Sequence, residues 1–164
     1  MVVDLLGENL RASYWRDECG AQTAQVRLGE EDLVLAKPQT FMNKSGSSVA
    51  RLVDEYEVAL DELVVVHDDI DLPAGSVRVK NGGGHGGHNG LRSVHEKLRD
   101  GGYVRVRVGV GRPPGRQEPA DYVLEGMSAA AAEELESQIP FAAQAVVHIV
   151  EHGVESAMQE FNGE

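Results

Sequence analysis

The sequence has one cysteine, Cys19, so no internal disulfide can form, and the thiol reads as an inert one in a reducing cytoplasm. No stretch approaches the roughly 18 apolar residues that span a bilayer. The N-terminus has no basic segment followed by an apolar run and a small-residue cleavage site, which argues against a secretory signal. There is no internal repeat and no long linker. Lysine and arginine are also unevenly missing: after Arg116 there is none.

What is present suits one soluble globular domain spanning residues 1–164, with 41% of its residues apolar. Its net charge of −12 argues, taken whole, against a nucleic-acid partner, because phosphate binding needs local cations. The distribution reverses that argument. From Arg78 to Arg116 nine Lys/Arg face two Asp/Glu, a local balance of +7 that leaves −19 on the rest of the chain. A basic middle in an acidic protein is a candidate polyanion footprint.

Apolar residues Val2, Val3, Leu5, Leu6 and Leu10 fall at helical spacing, so residues 1–11 read as an amphipathic helix without an N-cap signal. Gln22–Leu28 and Asp32–Ala36 read as strands around a Gly29–Glu30 turn. Ser47 is placed to cap a helix running to about Val58. Leu63–Val66 has the continuous apolar character of a strand buried on both faces. Ser76–Lys80 reads as a further strand, and a helix is expected from His88 or Asn89 to Leu98. Tyr103–Val110 alternates Val and Arg, as a strand with one buried face would. Gly111–Pro119 is a Gly/Pro-rich loop. Ser128 is expected to cap a helix to about His152, kinked or broken at Pro140, with a last helix over Val154–Phe161. Alternating strands and helices give an α/β class with helices covering a central sheet.

Three segments could carry chemistry. Lys37-Pro38-Gln39-Thr40-Phe41-Met42-Asn43-Lys44-Ser45-Gly46 joins a strand to a helix, and Asn43 offers a donor and an acceptor. His67-Asp68-Asp69-Ile70-Asp71 gathers three carboxylates and an imidazole at a strand end. Such a group can orient a catalytic imidazole, bind metal through oxygen, or be a solvated acidic turn. Gly82-Gly83-Gly84-His85-Gly86-Gly87-His88-Asn89-Gly90 feeds a helix N-terminus, where free amides favour an anion or an oxyanion. It lacks the Lys-Ser/Thr ending of a phosphate-binding P-loop.

These segments, with Asp71-Leu72-Pro73-x-Gly75 and Arg105-Val106-Arg107-Val108-Gly109-Val110-Gly111-Arg112-Pro113, stand in the order and at the intervals of the conserved blocks of bacterial-type peptidyl-tRNA hydrolase. The sequence resembles that family from Met1 to its last helix. The resemblance implies a monomeric, single three-layer α/β/α domain with a mixed twisted central sheet. It also implies hydrolysis of the ester between a peptide and the 3′ ribose of tRNA, with no metal and no organic cofactor. By position in the motifs, Phe41, Met42 and Asn43 would line the site of the peptidyl-adenosine end. Asn89 would bind that end, with His88 beside it, and Asp68 would stabilise the basic form of a catalytic imidazole. Lys80, Arg105 and Arg107 would meet the tRNA.

One departure stands out. The family opens with a strand and a Thr-Arg-His-Asn segment that supplies the general-base histidine, and Met1-Val2-Val3-Asp4-Leu5-Leu6 matches the helix just after it. The expectation is therefore a chain lacking that first strand and that histidine, and inactive or weak as written. Two rival readings follow: a module that binds tRNA ends without cleaving them, and a metal hydrolase using His67, Asp68, His85 and His88, whose spacings match no standard site.

Overall fold

A computed structural model describes residues 1–39, 44–111 and 129–162. It divides into two compact units. The first holds Met1, Val3–Val64 and Asn81–Val104; the second holds Val2, Val65–Lys80 and Arg105–Glu164.

The first unit opens with α1 (Val2–Asn9), which buries Leu6. Its helix ends in a Schellman arrangement: Ala12 N donates to Gly7 O at 2.8 Å, with Arg11 at φ 60 where glycine is usual. Three antiparallel strands follow, β1 (Arg16–Glu18), β2 (Ala21–Leu28) and β3 (Glu31–Pro38), in the order β1-β2-β3. Two-residue turns fix the register. Cys19 and Gly20 both take positive φ between Glu18 and its partner Ala21, and Gly29 lies at φ 61 between the paired Leu28 and Glu31.

Helix α2 (Ser45–Glu55) starts three residues earlier than the sequence suggested. Its N-cap is Lys44, and Ser47 lies inside the first turn rather than capping it. A single 3-10 turn (Leu60–Glu62) leads out. Helix α3 (Asn89–Leu98) belongs to the same unit and buries Leu91 and Val94.

The second unit contains β4 (Val64–Asp69), β5 (Val77–Asn81) and β6 (Val104–Gly109) apart from their end residues Val64, Asn81 and Val104, in the order β4-β6-β5. Backbone bonds give the directions. Val104 N donates to Leu63 O and Val110 N to Asp69 O, a constant offset that makes β4 and β6 parallel. Gly109 N donates to Ser76 O and Gly82 N to Tyr103 O, a constant sum that makes β5 and β6 antiparallel. The sheet is mixed, as expected, although the described strands form two three-stranded sheets rather than one.

Two expectations about burial change. Strand β4 is half-buried along its whole length, not buried on both faces, because it lies at the edge of its sheet. Strand β6 is the middle strand and is covered on both faces over Val104, Arg105 and Val106, not on one.

Helix α4 (Ala129–His152) continues through Pro140 without a break. Pro140 and Glu136, whose carbonyl loses its N–H partner there, both lie on the exposed side of the helix. Small residues Ala142, Ala143 and Ala145 are buried on α4. Gly153, at φ 90, then turns the chain into α5 (Val154–Phe161), whose Ala157 is also fully buried. His148 holds the two helices together: its Nε2 meets Ser156 Oγ at 2.8 Å and its ring stacks edge-on against Phe161. Ser128 and the loop beyond Gly111 lie outside the described residues.

Candidate active site

The first unit carries the two asparagine-bearing motifs. In the glycine segment, Gly86 and Gly87 take φ of 60 and 81, a conformation that costs an L-residue about 1–2 kcal/mol. That reversal lets Gly87 N donate to His85 Nδ1 at 3.0 Å and His88 N to His85 O at 3.0 Å. The segment is thus internally bonded. His85 also meets His95 edge-on, and His95 meets the fully buried Tyr103 in the same way.

His88 is the N-cap of α3. Its Nδ1 accepts from Leu91 N at 3.1 Å, so in the neutral ring the proton sits on Nε2. Asn89 follows as the first helical residue and is exposed. The start of α3 therefore presents an exposed carboxamide beside an imidazole, at the end of the helix where the backbone dipole favours negative charge.

The first motif reaches the same helix. Gly46 is buried, and its N donates to Ser93 Oγ at 2.8 Å. A Cβ at Gly46 would lie 2.0 Å from the Ser93 carbonyl oxygen, so only glycine permits this approach of α2 to α3. Ser93 is one helical turn from Asn89, and Gly46 is three residues from Asn43. Phe41, Met42 and Asn43 themselves lie outside the described residues. At the head of the motif, Lys37 Nζ bonds Asp4 Oδ1 at 2.5 Å and sits 4.5 Å from the centre of the Trp15 ring. That lysine holds Asp4 below the usual carboxylate range and ties β3 to α1.

The second unit carries the acidic motif and the cations. On β4, His67 and Asp69 share one face and Asp68 points to the other, by strand alternation. Asp69 is committed: its carboxylate accepts from Arg107 Nε at 2.7 Å and from Asp71 N at 2.8 Å. His67 Nδ1 lies 2.7 Å from the Asp68 carbonyl oxygen. The motif is therefore not three equivalent carboxylates. One neutralises an arginine, and Asp68 stands on the opposite face.

The β5–β6 register, extended from its two end bonds, sets Arg78 opposite Arg107 and Lys80 opposite Arg105. All four point to the His67 and Asp69 face, away from Asp68. Lys80 is exposed, whereas Arg107 is paired with Asp69 at 25% side-chain exposure. Arg105 is only 2% exposed. The sequence reading that offered Arg105 directly to a phosphate is thereby corrected, because β6 is the covered middle strand. Arg78, the first cation of the basic segment, shares that face at i, i+2 spacing to Lys80. Among the described residues no three His, Cys, Asp or Glu side chains group as metal ligands.

A family model described as peptidyl-tRNA hydrolase matches residues 1–164. The chain belongs to the peptidyl-tRNA hydrolase family. It is 48% identical over 169 residues to a peptidyl-tRNA hydrolase of Kineococcus radiotolerans, covering 99% of this chain and 85% of that protein. It is 43% identical over 163 residues to one of Nocardia farcinica, covering 99% and 84%. The crystal structure of peptidyl-tRNA hydrolase from Acinetobacter baumannii superimposes with a TM-score of 0.90 at 28% identity, over 99% of this chain and 83% of that one. The mixed α/β fold of this hydrolase family is therefore the fold of this chain. Among the described residues no helix is long and apolar enough to cross a membrane.

Proposed function

We propose that residues 1–164 act as one monomeric, cytoplasmic domain on the ester that joins a peptide to the 3′ ribose of tRNA. Water adds to the ester carbonyl, the bond to the ribose oxygen breaks, and the tRNA leaves with its 3′ hydroxyl reprotonated. The observation that carries this reading is the family match over all 164 residues. The start of α3 supports it chemically: Asn89 can donate to the carbonyl oxygen as charge develops there, with the helix dipole behind it. In this reading Asn43 acts as a second carboxamide, Phe41 and Met42 line the peptidyl-adenosine end, and His88 both caps α3 and stands beside the substrate. Asp68 serves to hold a general-base imidazole in its basic form. Lys80 meets the tRNA backbone, with Arg107 held behind it by Asp69. Arg105, being buried, supports the strand rather than touching phosphate.

Turnover by these residues alone is proposed to be weak. The six histidines of the chain have other work. His88 caps a helix, His85 and His95 brace the glycine segment, His67 faces away from the Asp68 carboxylate, and His148 and His152 stack on each other along α4. That occupancy favours a second reading, a module that binds tRNA ends without cleaving them. N-acetyl-aminoacyl-tRNA decides between the two. Release of tRNA that falls about 10²-fold with Asn89→Ala supports hydrolysis. Tight binding of the same tRNA with no release supports the binding module.

A further inference from the structure

Antiparallel strands direct the backbone groups of alternate residues to opposite edges. In β5 the bonds of Ser76 and Gly82 to β6 set the even-numbered positions inward, so Val79 N–H and C=O face away from the sheet. Those groups are not left to solvent. Val79 N donates to Asn162 Oδ1 at 2.7 Å, and Asn162 Nδ2 donates to Val79 O at 2.7 Å. One carboxamide thus supplies both bonds of a missing strand residue.

Asn162 is itself well anchored. Its N donates to Met158 O at the end of α5, and Phe161 beside it packs on His148 of α4. The chain of contacts runs from α4 through α5 to Asn162, then to Val79 on the edge of β5. The next residue, Lys80, is the exposed cation of the β5–β6 face.

We propose that Asn162 is a positioning residue for tRNA binding: by completing the edge of β5 at Val79, it fixes the strand that presents Lys80 to the phosphate backbone. This rests on the reading of Lys80 as a phosphate contact, and a double-mutant cycle in the full chain separates the two claims. The probe is deacylated tRNA, titrated at two salt concentrations. Lys80→Ala should weaken binding and lower the salt slope by about 1. Asn162→Ala should weaken binding about two- to fivefold in the native background and leave it unchanged in the Lys80→Ala background. Hydrogen exchange at Val79 should accelerate in the Asn162 variant. Asn162→Asp keeps the acceptor for Val79 N–H and gives up the donor to its carbonyl. It carries the same test if the alanine variant does not fold.

If Lys80→Ala leaves binding intact, the phosphate role of Lys80 falls, and the inference falls with it. If Lys80→Ala weakens binding while Asn162→Ala does not, the positioning role alone is overturned. Equal losses from Asn162→Ala in both backgrounds also overturn it, because they mark a general structural effect.

Discussion

The start of α3 and the β4–β6–β5 face are stabilised by different means. Around the start of α3 the parts meet through shape and neutral hydrogen bonds: Gly46 on Ser93, His88 on Leu91 N, and His85 on Gly87 N. On the β4–β6–β5 face charge dominates: Arg107 is held by Asp69, against the mutual repulsion of cations in register across two strands. Neutral geometry suits a carbonyl, whose charge appears only during reaction. Fixed cations suit a polymer that is charged throughout. The difference predicts opposite responses to mutation and to salt.

The largest effect should come from Gly46→Ala. The added methyl meets the Ser93 backbone, and overpacking of that kind costs about 3 kcal/mol, the same at low and high salt. Thermal unfolding at two ionic strengths checks it, and a loss that shrinks with salt would break the contrast. Asp69→Ala should cost about 2 kcal/mol, because it leaves a partly buried guanidinium unpaired. This loss should vary with salt, which the same two melts would detect. Gly87→Ala should cost about 1 kcal/mol through its positive φ, again without salt dependence.

The smallest effect concerns acid. Glu18 accepts from Thr23 and Tyr56 and pairs with Arg16; those partners hold its carboxyl below the usual range, and the bond to the Glu18 carboxylate raises the Tyr56 phenol. A depressed carboxyl contributes stability that is present above its unfolded pKa and is lost as pH falls through the folded one. Glu18→Gln should therefore flatten the acid limb of stability below about pH 4.3, the ordinary glutamate value, in denaturant titrations from neutral to acid pH. An unchanged limb would show that the cluster is not part of acid unfolding.

How much of this was legible in the sequence depends on whether a feature is written in local pattern. Helices α3 and α5 and the β2–β3 hairpin were readable from periodicity and turn residues, whereas the capping role of His88 was not. Strand β1 was not, because Arg16-Asp17-Glu18 has no apolar alternation and is held by pairing to β2. Helix ends were blurred because Arg11, Glu57 and Arg99 occupy the left-handed positions where glycine would have marked a stop. The motifs drew attention to Asn89 and to the carboxylates of the acidic turn, but pattern alone could not tell Asp68 from Asp69. Only the β4–β6 pairing shows that one of them is spent on Arg107. Likewise, alternating Val and Arg gave no warning that Arg105 is enclosed, since enclosure depends on β6 being the middle strand.

Arg78 opposite Arg107 and Lys80 opposite Arg105 place like charges on adjacent rungs, an arrangement that weakens a sheet. An anionic chain laid along that face would both be attracted to it and relieve the repulsion beneath it. Affinity and folding are then coupled. At a hundred times its dissociation constant, such a ligand would add about 2.7 kcal/mol to the stability of the fold, so a polyanion that bound there would stabilise the surface that receives it.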